Sequence, residues 1–562
     1  MRLLHTYKLT LQYFNDPNTI PRYAILSHTW EEFGELSLED MLLDAKKRPR
    51  TSGYAKIKGA CNIARRHGLK WIWIDTCCID KSSSTELSEA INSMYRYYKS
   101  AKVCYVYLSD LSDRVNIRDR LRKCRWVTRG WTLQELIAPH TVRFYNRKWK
   151  YCGSKRKLQD VVAIATGIPA QVLTQDVDLE EFSLAQRMSW AARRRTTRAE
   201  DLAYCLLGIF GVNMPLLYGE GNGAFRRLQE EIIKRSTDLS ILAHVPKGNR
   251  DPGSLMRVLA SSPSEFAICG SLCRFVETYD NITVTNNGLV ISRMFPLVLV
   301  PDEANPDQEK YMLLIGFDGE DPRRKGGIFL RKIGPKLFHR EAGTTQSNRL
   351  WTEDTTNFPP AHHEELRILI DVDPTITSSL VRDYRQGSIY IPDDEKLSLN
   401  DALPDQLWDA RDRTFLNQAQ TAWGSQYDVI LTAVFFVEFR GCETTIYAFF
   451  DRRVTPPRVL VFSNEQRPPG MLMALGYRSQ FRAVASSWFS VDGQVALLRR
   501  DGLGQSVDMR CDGDVFRFSP RLSYGNYHPG ISEVPMYKLE WHIKRIGVEK
   551  PRGKHPDLEV AS

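Results

Sequence analysis

The stretch LKWIWID, residues 69–75, decides the fold, because it is a continuous apolar run that ends in a carboxylate. A half-exposed strand alternates apolar and polar residues, whereas a strand covered on both faces is apolar throughout. Strands of the second kind form parallel sheets, in which crossover helices cover both faces. The stretch therefore predicts a central strand of an α/β domain, with Ile74 in its core.

The segments on either side of this run alternate between strand and helix patterns. Ser83 and Glu86 form a capping-box pattern, and Gly68 is a helix stop signal. Strands that alternate with helices imply right-handed crossovers and a mostly parallel sheet flanked by helices. Besides residues 69–75, strands are predicted at 23–27, 103–109 and 142–146, and helices at 54–68, 83–101 and 130–138.

The pattern becomes purely helical between residues 155 and 240. Helices are predicted at 183–194, 196–211 and 223–236, the second with a Thr197/Glu200 capping box. We interpret RRR at 193–195 as a solvated helix end.

From about residue 245 onward, short apolar strands replace the helical periodicity, with Asn287-Gly288 as a hairpin turn between two of them. They predict an antiparallel sandwich or barrel. The predicted domains are an α/β domain at 1–150, a helical extension at 151–244, a β-rich domain at 245–549 and a disordered tail at 550–562.

The composition is that of a folded protein of several domains, with 562 residues of which 42% are hydrophobic and 10% aromatic. The net charge of +10 comes from 77 basic and 67 acidic residues without a long basic block, so we predict no nucleic-acid partner. No apolar run approaches the length of a membrane span, and no signal peptide is visible. The eleven scattered cysteines are typical of reduced thiols, so we expect a cytoplasmic protein without a metal site.

The sequence also predicts where a ligand binds. In an open parallel sheet, ligands bind beyond the carboxyl ends of the strands. The chemically active residues of the first 150 positions follow those ends, so we expect one crevice to be lined by Ser27, His28, Trp30, Asp75, Arg129, Trp131 and Glu135.

The segment WTLQEL, residues 131–136, leaves two interpretations open. On an ideal helix Leu133 and Leu136 share one side, while Trp131 and Glu135 lie roughly opposite. That second side is either a solvated face with one stray aromatic residue or a wall of the site.

Six segments of residues 1–240 form an ordered set of motifs, which are YAILSHTW, WIWIDTCCIDK, ELSEAINSMYRYYKSAKVCYVYLSDL, RGWTLQELIAP, RMSWAARRRTTRAEDLAYCLLGIFGVNMPLLYGEG and AFRRLQEEI. In these motifs the chain resembles the heterokaryon-incompatibility (HET) domain of filamentous fungi. The resemblance implies a role in self/non-self recognition and programmed cell death after fusion of unlike cells, a form of innate immunity.

The order of elements is also similar to Toll/interleukin-receptor (TIR) domains, in which W-C-x-x-E-L supplies the glutamate of NAD-cleaving members. Glu135 and Trp131 fall on the glutamate and tryptophan of that motif, whereas Thr132 replaces its cysteine and Arg129 stands where a serine is common. The resemblance implies a TIR-like α/β fold and NAD hydrolysis through Glu135, with NAD as substrate and no bound cofactor.

Other functions are compatible with the same residues. The first alternative is a non-catalytic signalling module that acts by self-association through the HET domain or with another protein. The second is a thiol hydrolase that uses Cys77 with His28 and Asp80. His28 also fits a structural role, and the glycines of YGEGNG, residues 218–223, precede a helix as a phosphate loop does.

Overall fold

The computed structural model describes residues 1–246, 254–275, 281–286, 288–292, 297–302, 305–342, 351–352, 365–370, 374–403, 406–417, 431–451, 456–463, 505–511, 513–527 and 534–548. The chain divides into two compact units. The first comprises Met1–Pro296, Leu313–Ile328 and Glu341–Phe358, and the second comprises Leu297–Met312, Phe329–Arg340 and Pro359–Ser562. The division into a HET domain, a helical extension, a β-rich domain and a tail stays a prediction.

The first unit contains a seven-stranded sheet. Its strands are β1 (Arg2–His5), β2 (Leu11–Tyr13), β3 (Tyr23–His28), β4 (Trp71–Trp73), β5 (Val103–Leu108), β6 (Val142–Asn146) and β7 (Tyr151–Ser154), in the order β2-β1-β4-β3-β5-β6-β7. Strands β4, β3, β5 and β6 are parallel to one another, which confirms the predicted α/β sheet. The antiparallel strands β1, β2 and β7, which the sequence analysis did not predict, make the complete sheet mixed.

Helices connect the parallel strands. They are α1 (Leu38–Leu42), α2 (Ser52–Arg66), α3 (Asp75–Cys78), α4 (Ser84–Ser100), α5 (Ile117–Arg120), α6 (Arg125–Thr128) and α7 (Thr132–Ile137). From β3 the chain crosses to β4 on one side and then to β5 on the other, so the strand order reverses between β3 and β5. Such a switch point is where open α/β sheets bind ligands, beyond the carboxyl ends of the strands.

The predicted core strand is buried as expected. Ile72 and Ile74 are fully buried, as are Ile25 in β3 and Val106 in β5. Helix α4 begins where the capping-box pattern predicted, because the Ser83 side chain accepts the backbone N–H of Glu86 at 3.3 Å.

The helical segment that follows is more broken than predicted. Its helices are α8 (Gln159–Thr166), α9 (Ala170–Thr174), α10 (Leu184–Ser189), α11 (Asp201–Tyr204), α12 (Leu207–Phe210) and α13 (Gly223–Ile233). The predicted Thr197/Glu200 capping box is wrong, because the Glu200 carboxylate instead accepts the N–H groups of Gly219 and Gly221 at 2.8 and 3.1 Å. The predicted solvated end at 193–195 is also wrong for Arg194, which is buried.

The rest of the chain is β-rich, as predicted. The described elements are β8 (Leu255–Met256), β9 (Leu272–Cys273), β10 (Asn281–Thr285), β11 (Gly288–Ser292), β12 (Leu297–Asp302), β13 (Asn305–Asp318), β14 (Lys325–Lys332), β15 (Leu337–Glu341), β16 (Trp351–Thr352), β17 (Glu365–Ile368), α14 (Pro374–Arg385), β18 (Ile389–Tyr390), β19 (Leu397–Leu403), β20 (Trp408–Asp409), β21 (Thr414–Phe415), β22 (Leu431–Phe439), β23 (Cys442–Asp451), β24 (Arg458–Ser463), β25 (Val507–Cys511), β26 (Asp514–Gly525) and β27 (Met536–Val548). Strands β10 and β11 form an antiparallel pair, while Asn287 of their predicted turn and the predicted tail lie outside the described residues.

The second unit has its own core. It contains a six-stranded sheet of order β20-β21-β18-β27-β26-β25 and a four-stranded sheet of order β19-β22-β23-β24. Buried side chains of both sheets form one apolar cluster, in which Phe435 contacts Trp541 edge to face at 5.3 Å between ring centroids.

None of the helices in the described ranges has both the length and the apolar character that a bilayer crossing requires.

Candidate functional site

The predicted site lies at the carboxyl ends of the central parallel strands. His28 is the last residue of β3, and Asp75 is the first residue of α3, which follows β4. Glu135 lies in α7, which follows β5 along the chain. Because β3 pairs with both β4 and β5, these three segments meet beside the switch point of the sheet.

Glu135 is buried, which excludes the first of the two interpretations of its helix, a solvated face. All six residues of α7 are buried, and only 5% of Glu135 is exposed. Helices α4, α6 and α9 and strand β3 all pack against this one short helix, so it has no solvated face. The carboxyl group is therefore part of the interior of the domain.

A chain of hydrogen bonds holds the Glu135 carboxyl group. The Trp126 indole N–H donates to Ser27 Oγ at 2.7 Å, and the Ser27 hydroxyl donates to Glu135 Oε2 at 2.5 Å. Burial raises the pKa of Glu135 to about 8, and the negative charge of Asp75 adds to this effect. Hydrogen bonds from Ser27 and Tyr98 and the positive charge of Arg129 act in the opposite direction. At pH 7 most Glu135 side chains are therefore protonated.

This pKa predicts an unusual dependence of stability on pH. Between the ordinary value of 4.5 and about 8, folded Glu135 keeps a proton that the unfolded chain has released. The free energy of unfolding should therefore fall as pH rises through this window, by up to about 5 kcal/mol in total, and then level off. Thermal melts of Glu135→Gln and of the parent protein from pH 5 to 9 test this. The difference between them should change steadily across the window, and a constant difference would contradict the prediction.

His28 lies between two carboxylates. Its Nδ1 is 3.8 Å from Asp75 Oδ1 and its Nε2 is 3.8 Å from Glu35 Oε2, while Lys56 forms a close ion pair with Glu35. Burial lowers the pKa of His28 well below its ordinary value, and the positive charges of Lys56 and Lys81 lower it further. The imidazole is therefore neutral at physiological pH, so His28 can contact a ligand only as an uncharged hydrogen-bonding group.

The loop that carries Glu35 is held against α2. The Gly53 backbone N–H donates to the Gly34 carbonyl at 3.1 Å, and the Thr51 hydroxyl donates to the same oxygen at 2.6 Å. A Cβ on Gly53 would lie 2.3 Å from that carbonyl oxygen, so only glycine permits this approach. The contact sets the position of Glu35 next to His28.

Trp30 is the exposed aromatic residue of the site. Its indole N–H donates to Asp75 Oδ2 at 2.8 Å, and Lys81 Nζ lies 3.8 Å from the centroid of its ring. The side chain is nevertheless 45% exposed. Burial raises the pKa of Asp75, the residue that accepts this hydrogen bond from Trp30. Because Lys81 covers one face of the ring, a planar ligand would stack on the opposite face.

Arg129 and Trp131 lie apart from this cluster. The Arg129 guanidinium donates to Thr197 Oγ1 at 3.1 Å, although its charge still lowers the pKa of Glu135. Trp131 hydrogen-bonds to the Asp201 carboxyl group of the helical segment. The structure therefore brings together the other predicted residues, which are Ser27, His28, Trp30, Asp75 and Glu135.

The thiol-hydrolase alternative finds no support in the geometry. Cys77 is buried, and its Sγ lies 3.9 Å from the Ile74 carbonyl oxygen. A hydrogen bond with Cys78, together with burial, raises the pKa of Cys77 well above its ordinary value, whereas a nucleophilic cysteine needs a lowered one. Asp80, the acidic residue of this alternative, accepts a hydrogen bond from the Ser82 hydroxyl at 2.6 Å, within its own loop.

The glycine loop at 218–223 does not fit a phosphate. The N–H groups of Gly219 and Gly221, which such a loop would direct at the ligand, already donate to Glu200. In the described ranges, no group of three or more His, Cys, Asp or Glu residues is placed to hold a metal ion.

Sequence reasoning missed Glu35, Lys56, Tyr98 and Trp126. Lys56 carried a signal, because it falls on the same side of α2 as the buried residues Ala60 and Ile63. A lysine on the apolar side of a predicted helix indicates a buried ionic partner. Glu35, Tyr98 and Trp126 are of residue types that are common in cores or in surface loops. Their positions in the sequence therefore did not indicate that they belong to a site.

The N-terminal part of the chain is similar to known proteins. Residues 23–119 match the family model described as Heterokaryon incompatibility protein (HET). The chain is 49% identical over 224 residues to the vegetative incompatibility protein HET-E-1 of Podospora anserina, a match that covers 38% of this chain and 16% of that relative. No solved structure matches the chain. The N-terminal part of the chain, in which Ser27, His28 and Asp75 lie, is therefore a heterokaryon-incompatibility (HET) domain.

Proposed function

We propose that this protein is a cell-death effector in fungal self/non-self recognition, and that its HET domain hydrolyses NAD through Glu135. The family match and the similarity to a vegetative incompatibility protein support the first part. The observation that carries the second part is the buried Glu135 carboxyl group, hydrogen-bonded to Ser27 beside the switch point of the sheet. The resemblance of WTLQEL to the TIR motif points to the same residue.

The reaction needs little acid catalysis, because nicotinamide is a cationic leaving group. The bond between C1′ of the ribose and the nicotinamide nitrogen breaks, and its electron pair leaves with nicotinamide, which becomes neutral. Water then adds to the ribosyl cation and releases a proton, so that the products are nicotinamide, ADP-ribose and H⁺. A carboxylate close to C1′ stabilises the positive charge that develops there.

The protonated state of free Glu135 is compatible with this role. A cationic nicotinamide ribose close to the carboxyl group favours its ionised form and lowers its pKa. The Ser27 hydroxyl group orients the carboxyl group, and Asp75 adds a second negative charge near the same position. The exposed ring of Trp30 supplies a stacking surface for one of the two bases of NAD.

The proposal is tested with the purified full-length chain. We expect it to convert NAD to nicotinamide and ADP-ribose, measured by chromatography, whereas heat-denatured protein does not. Expression of the same chain in yeast should lower cellular NAD before viability falls. Killing without NAD loss, accompanied by concentration-dependent self-association, would contradict hydrolysis and favour the signalling module.

A further inference from the structure

Two arginines that are distant in sequence are paired next to the Glu135 helix. The Gly130 N–H donates to the Arg195 carbonyl at 2.9 Å, and the Arg195 N–H donates to the Thr128 carbonyl at 2.7 Å. These bonds form a parallel bridge between Arg129 and Arg195. Paired residues of a ladder lie on the same side of it, about 5 Å apart. The two side chains therefore leave the backbone as neighbours.

The two positive charges of this pair have no acidic partner in contact among the residues that the structure describes. In the part of the chain that the structure describes, neither guanidinium forms an ion pair, and the hydrogen bond of Arg129 goes to the neutral hydroxyl of Thr197. Arg195 is exposed. Like charges directly opposite each other in a ladder are unfavourable. An anion that contacts both guanidinium groups would remove that repulsion.

A buried arginine, Arg194, holds the backbone of this pair in place. Arg194, which is only 7% exposed, donates to the Arg129 carbonyl and to Thr132 Oγ1, both at 2.9 Å, and to the Trp190 carbonyl at 3.3 Å. Burial lowers the pKa of Arg194 to about 10, so it stays charged at neutral pH. A third positive charge therefore lies behind the pair and ties it to the first residue of α7.

The ligand class follows from chemistry and place. Guanidinium groups bind phosphate oxygens through paired hydrogen bonds. Arg129 lies within electrostatic reach of Glu135. In NAD the diphosphate directly follows the nicotinamide ribose, whose C1′ the proposed function places at Glu135. We propose that Arg129 and Arg195 together bind the diphosphate of a dinucleotide, an inference that rests on the proposed function.

The test measures binding of ADP-ribose to the full-length chain by calorimetry at constant salt. Arg195→Ala and Arg129→Ala are each expected to weaken binding about tenfold, the effect of losing a charged hydrogen bond. Arg195→Lys should lose less. Adenosine, which has no phosphate, should bind equally to all variants. Arg193→Ala is the matched control, because it removes the same charge from the same run of arginines outside the bridge.

The outcomes separate this inference from the proposed catalysis. Weaker ADP-ribose binding in Arg195→Ala, but not in Arg193→Ala, supports the diphosphate site even if the protein consumes no NAD. Equal weakening in both variants overturns it, because the effect is then one of general charge. NAD consumption with an unchanged KM in Arg195→Ala also overturns it and leaves catalysis intact. Oligonucleotide binding that depends on Arg195, without ADP-ribose binding, overturns it in favour of nucleic acid.

Discussion

Replacement of Glu135 by glutamine is expected to lower NAD hydrolysis about 10²–10³-fold, the loss typical of removing one preorganised group that stabilises transition-state charge. Glutamine keeps the shape of the side chain and an oxygen that accepts the Ser27 hydroxyl, but it cannot become negative. Folded Glu135 is mostly protonated at pH 7 whereas the unfolded chain is ionised there, so glutamine, which has no proton to take up on folding, should raise the stability at that pH by up to about 3 kcal/mol. Activity would therefore be lost from a folded protein.

The assay pairs NAD consumption with a thermal melt of each variant. Glu32→Gln is the matched control, because it makes the same chemical change on an exposed residue of the loop after β3. For the parent protein, kcat/KM should rise with pH up to about 8 and then level off, as expected when the reaction needs the ionised form of Glu135. Full activity or full cell killing by a folded Glu135→Gln protein would remove Glu135 from the mechanism.

Glu135→Ala tests catalysis less cleanly than it would if Glu135 were exposed, because the substitution also changes stability. On a solvated side of the helix, truncation would cost within about 1 kcal/mol. In the structure the side chain is buried, so alanine leaves a cavity and leaves the Ser27 hydroxyl without its acceptor. At pH 5, where the pH-dependent cost of keeping Glu135 protonated is small, we therefore expect a loss of about 1–3 kcal/mol of stability in addition to the loss of activity.

Replacement of Ile74 by aspartate is expected to unfold the HET domain. Ile74 is fully buried between β4 and α3, and its carbonyl accepts the N–H groups of Cys77 and Cys78. Aspartate at this position would bury an unpaired carboxylate next to Asp75, at a cost of several kcal/mol. That cost is a large part of the stability of an ordinary domain.

Two controls separate burial from the general effect of substitution. Ile164→Asp makes the same change in α8, where the isoleucine is 76% exposed, and should melt close to the parent protein. Ile74→Val keeps the site apolar and should cost about 0.5–1.5 kcal/mol. Circular dichroism during thermal unfolding provides the measurement. If Ile74→Asp melts like the parent protein, the strand at 71–73 is not part of the core.

The sequence by itself was sufficient for the sheet and for part of the site. Apolar runs without alternation identified the parallel strands, because burial on both faces leaves no place for polar side chains. The rule that ligands bind beyond the carboxyl ends of such strands then brought His28 and Trp30 of one motif together with Asp75 of another. Both inferences depend on local patterns and on chain direction, which a sequence contains.

Only the tertiary structure decided which polar groups are solvated. Periodicity shows that Trp131 and Glu135 share one side of a helix, but the covering of that side depends on α4, α6 and α9, which pack against it. The buried Arg194 inside an arginine run likewise finds its acceptors, the Arg129 carbonyl and Thr132 Oγ1, far along the chain. The pKa of a carboxyl group and the neutralisation of a guanidinium group are set by neighbours distant along the chain, so no local pattern contains them.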